Sequence, residues 1–243
     1  MSQSASSGAL SFSAQQRERC AHLFQAFHDH PFLRGLADGS ASRESVLHYV
    51  SQDHHYLTAF MRCYGLGIAT SPDRDWLEWF TESIRFMLHD EGDAHLALVR
   101  AFDVDYEDVQ VAEMTPTAQG YINHLIASGH DSLGVLMAAL MPCPETYWWA
   151  ADRQQREDPV AKDNPFRPWW EFYAGEESRQ LVEDFGVRLD ALAEQAGPAE
   201  VARMAQAYED SVHHEIRFWQ MAWTQERWDD SLTLGREPVT AGA

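Results

Sequence analysis

The sequence predicts an all-α fold, one helical bundle, and three observations carry that prediction. Apolar residues recur at three- and four-residue intervals through most of the chain, no run alternates with the period of two that a half-buried strand requires, and no Pro-, Gly- or Ser-rich linker divides it. At 243 residues and 45% hydrophobic content, with nine Trp and twelve Phe, the chain holds enough apolar material for one substantial core.

The elements follow in order. "SAQQRERCAHLFQAFHDH" places Cys20, Leu23, Phe24 and Phe27 at helical intervals, with Ser13 the expected N-cap. "SRESVLHYVSQDHHYLTAFMRCYGLGIA" keeps the period for several turns from a Ser42 cap, and "DRDWLEWFTESIRFMLHDEGDAHLALVRAF" does so again. "VAEMTPTAQGYINHLIASG" enters its helix at Thr-Pro-Thr, since proline is tolerated in a first turn. After an expected turn at Gly129 and His130, "DSLGVLMAALMPCPETYWWAADRQQ" is apolar from Leu133 to Met141 and runs into Pro142 and Pro144. The segment "REDPVAKDNPFRPWWEFYAG" reads as a loop with a short helix at Trp169 to Tyr173. Two closing helices, 175–195 and 198–227, are joined by "QAGP". Residues 13–228 are therefore expected to form the helical domain, between flexible ends at 1–12 and 229–243, with "QERWDD" a solvated helix end.

Charge and cysteine usage narrow the function. A formal net charge of -20 opposes phosphate or anionic-membrane partners over most of the surface, so neither nucleic acid nor membrane is expected as a partner. No segment approaches the roughly 18 uninterrupted apolar residues of a membrane span, and the start has no leader pattern. Three widely spaced cysteines, Cys20, Cys63 and Cys143, offer neither a disulfide framework nor a thiolate zinc site, which fits a reducing, cytoplasmic setting. Cys20 and Cys63 read as core thiols. Trp148, Trp149, Trp169 and Trp170 read as packing residues.

Cys143 differs by its surroundings. Pro142 removes a backbone N–H and obstructs the turn before it, so the core helix is expected to kink where the thiol sits. Its plain alternative is a packed structural cysteine. Asp53 lies in a helix with Tyr49, Tyr56 and Phe60 at i-4, i+3 and i+7, a costly place for a carboxylate unless a ligand or a cation pairs with it. Glu215 repeats the pattern with Phe218, Trp219 and Ala222, and for both acids a solvated face or an internal ion pair is the plain alternative. Together these residues point to an aromatic-lined pocket with few polar groups. His54 and His55, about 100° apart on their helix, cannot both face it.

These segments carry a resemblance. "GYINHLIASGHDSLGVLMAALMPCPETYWWAA", "SQDHHYL", "HHEIRFWQMA", "FMLHDEGDAHLAL" and "PWWEFYAGEE" together resemble the TenA/thiaminase II family over roughly residues 15 to 227. The resemblance implies a haem-oxygenase-like bundle, usually a homotetramer, that hydrolyses aminopyrimidines in thiamin salvage without a cofactor or metal. By motif position it implies that Cys143 attacks the pyrimidine ring carbon next to the departing group, that Asp53 binds the amino group and ring nitrogen, and that Glu215 is the acid/base. It further implies that Tyr56 and Phe218 border the ring and that Tyr121, Tyr147 and Tyr173 hydrogen-bond around the thiol and Glu215. The favoured conversion is aminomethylpyrimidine to hydroxymethylpyrimidine and ammonia, with cleavage of thiamin open by the same attack.

Two other classes stay open at this point. Glu44/His48, Glu91/His95 and Glu209/His213 are i,i+4 pairs that a di-metal oxidase on a similar bundle could use, although such bundles typically use a Glu-x-x-His spacing. A non-catalytic pyrimidine-binding protein would keep Asp53 and the aromatics without needing Cys143.

Overall fold

The computed structural model describes residues 10–89 and 92–229, and among them every regular element is a helix. Near the N-terminus lie α1 (Phe12–Arg19), α2 (Ala21–His28), α3 (Pro31–Asp38) and the long α4 (Arg43–Thr70). Next come α5 (Arg74–His89), α6 (Gly92–Arg100), α7 (Tyr106–Val109) and α8 (Pro116–Asp131). The rest is α9 (Leu133–Leu140), α10 (Pro142–Glu157), α11 (Arg167–Tyr173), α12 (Glu176–Gln195) and α13 (Pro198–Thr224).

Helix α9 is the axis of the bundle. It is apolar all round, and every residue from Gly134 to Leu140 is buried, as expected of a helix with neighbours on each side. It packs most extensively on α13, then on α8, α12 and α4. The two longest helices, α4 and α13, also touch each other, and each buries the face that carries its acid: Asp53 on one, Glu215 on the other. No helix among the described residues is long and apolar enough to cross a membrane.

Helix starts follow the residue chemistry. Ser42 Oγ accepts from the Ser45 amide and Thr115 Oγ1 from the Ala118 amide, each satisfying an otherwise orphaned first-turn donor. Met141, in helical backbone at φ -58 and ψ -39, separates α9 from α10, and Pro142 occupies the first position of α10. The expected break at Pro142 is therefore present, and it falls where Cys143 emerges.

Several boundaries differ from expectation. The first helix is capped by Ser11; Ser13 instead gives its amide and hydroxyl to the Asp190 carboxylate on α12, at 2.7 and 3.0 Å. The same stretch divides at Cys20 into two helices. Helix α3 was not foreseen; Pro31 opens it and Gly39, at φ +80, closes it in the left-handed conformation that glycine adopts at no steric cost. The turn expected at Gly129 and His130 lies at Ser132, whose hydroxyl caps α9 through the Val135 amide. Gly129 lies inside α8, where a Cβ would stand 2.6 Å from Leu66 Cδ1, so the glycine marks a close approach of α4 rather than a turn. The last helix stops at Thr224, and the segment after it is not helical: Glu226 accepts from the Thr117 amide and Trp228 Nε1 donates to the Met114 carbonyl. The 73–102 stretch forms α5 and α6, with residues 90 and 91 outside the described set; of the expected flexible ends, 1–12 and 229–243, residues 1–9 and 230–243 also fall outside it, and Phe12 instead opens α1.

One close approach sets the spacing of α4 and α5. A Cβ on Gly67 would lie 2.3 Å from Cζ of Phe80, a ring that is itself fully buried. Gly67→Ala is therefore expected to lower stability: overpacking of about 1–3 kcal/mol outweighs about 1 kcal/mol of improved helix propensity. A urea midpoint equal to or above that of the unsubstituted protein would contradict this.

Candidate active site

A narrow cavity of about 40 Å³ lies where α4, α5, α10, α11 and α12 converge. Asp53, Phe60 and Tyr64 reach it from α4, Cys143 and Tyr147 from α10, and Tyr173 from α11. Phe86 on α5 and Phe172 on α11 also line it, their rings stacked at 6.3 Å. The wall is mostly aromatic and aliphatic with a few polar groups, the usual form of a small-molecule site.

Asp53 is buried, and the structure supplies the partner its sequence context demanded. Tyr49 Oη donates to Asp53 Oδ2 at 3.0 Å, and His95 Nε2 meets the same oxygen at 2.6 Å. Tyr49 Oη is also 3.4 Å from Tyr147 Oη, which ties the carboxylate to the cysteine helix.

Cys143 is half-buried, whereas Cys20 and Cys63 are fully enclosed with thiols pushed up to about 11, chiefly by burial. It occupies the first turn of α10, where the helix end favours developing negative charge. Its thiol hydrogen-bonds the Glu215 carboxyl, which also accepts from Tyr121 Oη at 2.6 Å. Glu215 is 3% exposed, and burial raises its pKa to about 8. The hydrogen bonds from Tyr121 and Cys143 pull the other way, while the Asp53 charge adds to the rise. Burial, first among several causes, also holds the Tyr56, Tyr121 and Tyr147 hydroxyls well above the ordinary tyrosine range, so they remain protonated donors.

The sequence-expected residues thus fall into two connected groups. Asp53, Cys143, Tyr147 and Tyr173 line the cavity. Glu215, Tyr121, Tyr56 and Phe218 stand behind them: the Tyr56 and Tyr121 rings lie 4.7 Å apart, Phe218 is 5.7 Å from Tyr56, and Glu215 reaches the cavity through the thiol. His95 and the walls from α5 and α12 were not foreseen. In the sequence His95 stands out only as half of a pair with Glu91, a residue outside the described set. Neither His54 nor His55 lines the cavity: His54 meets Tyr106 Oη at 3.4 Å, and His55 bonds the Ala112 carbonyl at 2.7 Å. The four tryptophans do not line it either, and Trp169 and Trp170 are core residues.

The described members of the i,i+4 pairs do not assemble, Glu91 lying outside the described residues. Glu209 is held by Arg19, Glu44 and His213 are exposed, and His95 is engaged by Asp53. Among the described residues no three His, Cys, Asp or Glu side chains are grouped to hold a metal ion.

Comparison with known proteins agrees with the helical fold. Residues 17–225 match the TENA/THI-4/PQQC family. An aminopyrimidine aminohydrolase of Bacillus subtilis is 31% identical over 230 residues, 91% of this chain and 94% of the relative. One from Halalkalibacterium halodurans is 27% identical over 222 residues, 90% and 99% of the two chains. A solved TenA homologue from P. horikoshii superposes with TM-score 0.78 at 22% identity, covering 88% of this chain and 99% of its own. A domain of unknown function with a haem-oxygenase-like fold from Shewanella denitrificans does so with TM-score 0.64 at 14% identity, covering 90% and 94%.

Proposed function

This chain belongs to the TENA/THI-4/PQQC family, and from that premise we propose that it hydrolyses aminopyrimidines of thiamin salvage, converting aminomethylpyrimidine to hydroxymethylpyrimidine and ammonia by covalent catalysis at Cys143. The observation that carries the reading is the contact between the Cys143 thiol and a buried carboxyl, Glu215, whose pKa is raised to about 8, beside a cavity that also presents Asp53. A thiolate is the effective nucleophile, and a base near neutrality is what generates it and later returns the proton.

The steps balance on these groups. Asp53 holds the amidine edge of the pyrimidine, stabilising the N-protonated ring that accepts attack. Ionised Glu215 takes the Cys143 proton as Sγ bonds to the ring carbon beside the aminomethyl-bearing one, and the electron pair moves into the ring. That pair expels the amine, which takes the proton from Glu215 and leaves as ammonia. Water adds to the exposed exocyclic carbon and gives its proton to Glu215; the ring then regains aromaticity by releasing sulfur, which recovers its proton. Tyr121 holds Glu215 throughout, and Tyr147 and Tyr173 close the cavity around the thiol, while Tyr56 and Phe218, which the resemblance puts at the border of the ring, pack behind the cavity wall against Tyr121 and each other. Thiamin offers a thiazolium leaving group at the same carbon. The family resemblance further supports a cytoplasmic homotetramer as the working form.

Asp53→Asn tests the ring-binding role. Removing the charge that anchors the amidine edge is expected to lower kcat/KM for aminomethylpyrimidine by about 100-fold, the scale of a lost charge-assisted hydrogen bond in a buried site. An unchanged kcat/KM would remove Asp53 from the site.

A further inference from the structure

The reaction outlined above uses no imidazole, yet the structure holds His95 completely buried against the ring-binding carboxylate. Its position is fixed at both nitrogens. Nε2 lies 2.6 Å from Asp53 Oδ2, and Nδ1 lies 3.1 Å from Tyr106 Oη, which is in turn 3.4 Å from His54 Nδ1. A carboxylate offers only acceptors, so the ring's proton toward Asp53 stands on Nε2, and Nδ1 faces a hydroxyl able to donate. The ring of Tyr49 meets that of His95 nearly edge-on at 6.0 Å, limiting its rotation.

We infer that His95 is a positioning residue that fixes the plane of the Asp53 carboxylate, with Tyr106 and His54 fixing His95 in turn. The inference rests on the aminopyrimidine reading of the site. An aspartate's terminal torsion is broad and nearly two-fold, so a carboxylate left to itself samples many planes. Recognition of an amino group and a neighbouring ring nitrogen needs one plane. Tyr49 does not suffice for this, since its single hydroxyl comes from Asp53's own helix and also approaches Tyr147. His95 reaches the same oxygen from α6, across the bundle, and so gives the carboxylate a second, independent support. The neighbouring α7 supplies Tyr106 and α4 supplies His54, so the arrangement depends on three elements packed together.

The test compares His95→Ala, His95→Gln and Tyr106→Phe with the unsubstituted protein. Each is assayed for aminomethylpyrimidine hydrolysis per folded molecule and for thermal midpoint. The imidazole N–H resonance of His95 is followed in the unsubstituted protein and in Asp53→Asn. His95→Ala is expected to lose about 100-fold in kcat/KM, the cost of a misplaced reacting group. Glutamine, whose amide offers a donor toward Asp53 and an acceptor toward Tyr106, is expected to recover activity to within about tenfold, and Tyr106→Phe to lose about tenfold. The Nε2–H resonance is expected to be slowly exchanging and to shift in Asp53→Asn. A lowered midpoint in His95→Ala with unchanged kcat/KM would make the residue merely structural and overturn the inference, as would equal losses for alanine and glutamine. If the unsubstituted protein turns over no aminopyrimidine, the functional reading fails instead, and the response of the resonance to Asp53→Asn still decides whether His95 holds the carboxylate.

Discussion

Cys143→Ala is expected to abolish hydrolysis of aminomethylpyrimidine, lowering kcat by on the order of 10⁴ or more while leaving the protein folded and able to bind hydroxymethylpyrimidine. The size follows from the chemistry: without sulfur bonded to the ring no electron pair is available to expel the amine, and removing a covalent nucleophile typically forfeits most of an enzyme's rate enhancement. The fold is expected to survive because Cys143 is half-buried at the cavity, unlike Cys20 and Cys63, and its loss leaves the enclosed core intact. Cys143→Ser, which retains a hydroxyl of far weaker nucleophilicity, is expected to be similarly inactive. The paired measurements are product formation by chromatography and product binding by calorimetry. Turnover persisting at the original rate in either variant would remove the thiol from the mechanism.

Glu215→Gln carries the second large effect, and it separates activity from stability. Ionised Glu215 is needed to accept the thiol proton, so kcat/KM of the unsubstituted protein is expected to rise about tenfold per pH unit below about 8 and to level above it. The substitution is expected to cost on the order of 10²–10⁴ and to erase that ascending limb. The stability effect has the opposite sense. The carboxyl's folded pKa of about 8 stands above its ordinary 4.5, so between those values the unfolded chain has released a proton that the native protein keeps. Its stabilising contribution is complete below pH 4.5 and is lost as pH rises to about 8, by up to about 1.4 kcal/mol per pH unit. Glu215→Gln lacks this slope and is expected to gain stability over the unsubstituted protein as pH rises, read as the difference between their urea midpoints at pH 5 and pH 8. Parallel curves for the two proteins would show that burial does not perturb Glu215.

What the sequence disclosed and what it withheld have a common physical basis. Asp53 and Glu215 stood out because helical periodicity alone puts a carboxylate and aromatics on one face, and Tyr49 could be placed beside Asp53 by the same i-4 rule. Cys143 stood out because two prolines mark a helix break without any knowledge of the fold. The contact between Cys143 and Glu215, and that between Asp53 and His95, join residues 72 and 42 positions apart, and no local pattern encodes them. His95 was visible only as a helix-face neighbour of Glu91, so its partner across the bundle went unseen. The α5 and α12 walls were hidden for a similar reason: Phe86 and Leu181 belong to ordinary apolar stripes, and only packing turns them toward the cavity. Ser13 carries a local capping preference that a tertiary contact with Asp190 overrides, and Gly129, locally a turn signal, is a glycine because α8 passes close to Leu66.

The central claim is that the cavity beside Cys143, Glu215 and Asp53 hydrolyses an aminopyrimidine, and the most direct test is to incubate the purified protein with aminomethylpyrimidine and quantify both products. The account predicts hydroxymethylpyrimidine and ammonia in equal amounts as substrate disappears. Substrate recovered intact from folded protein across pH 6 to 9 would contradict it.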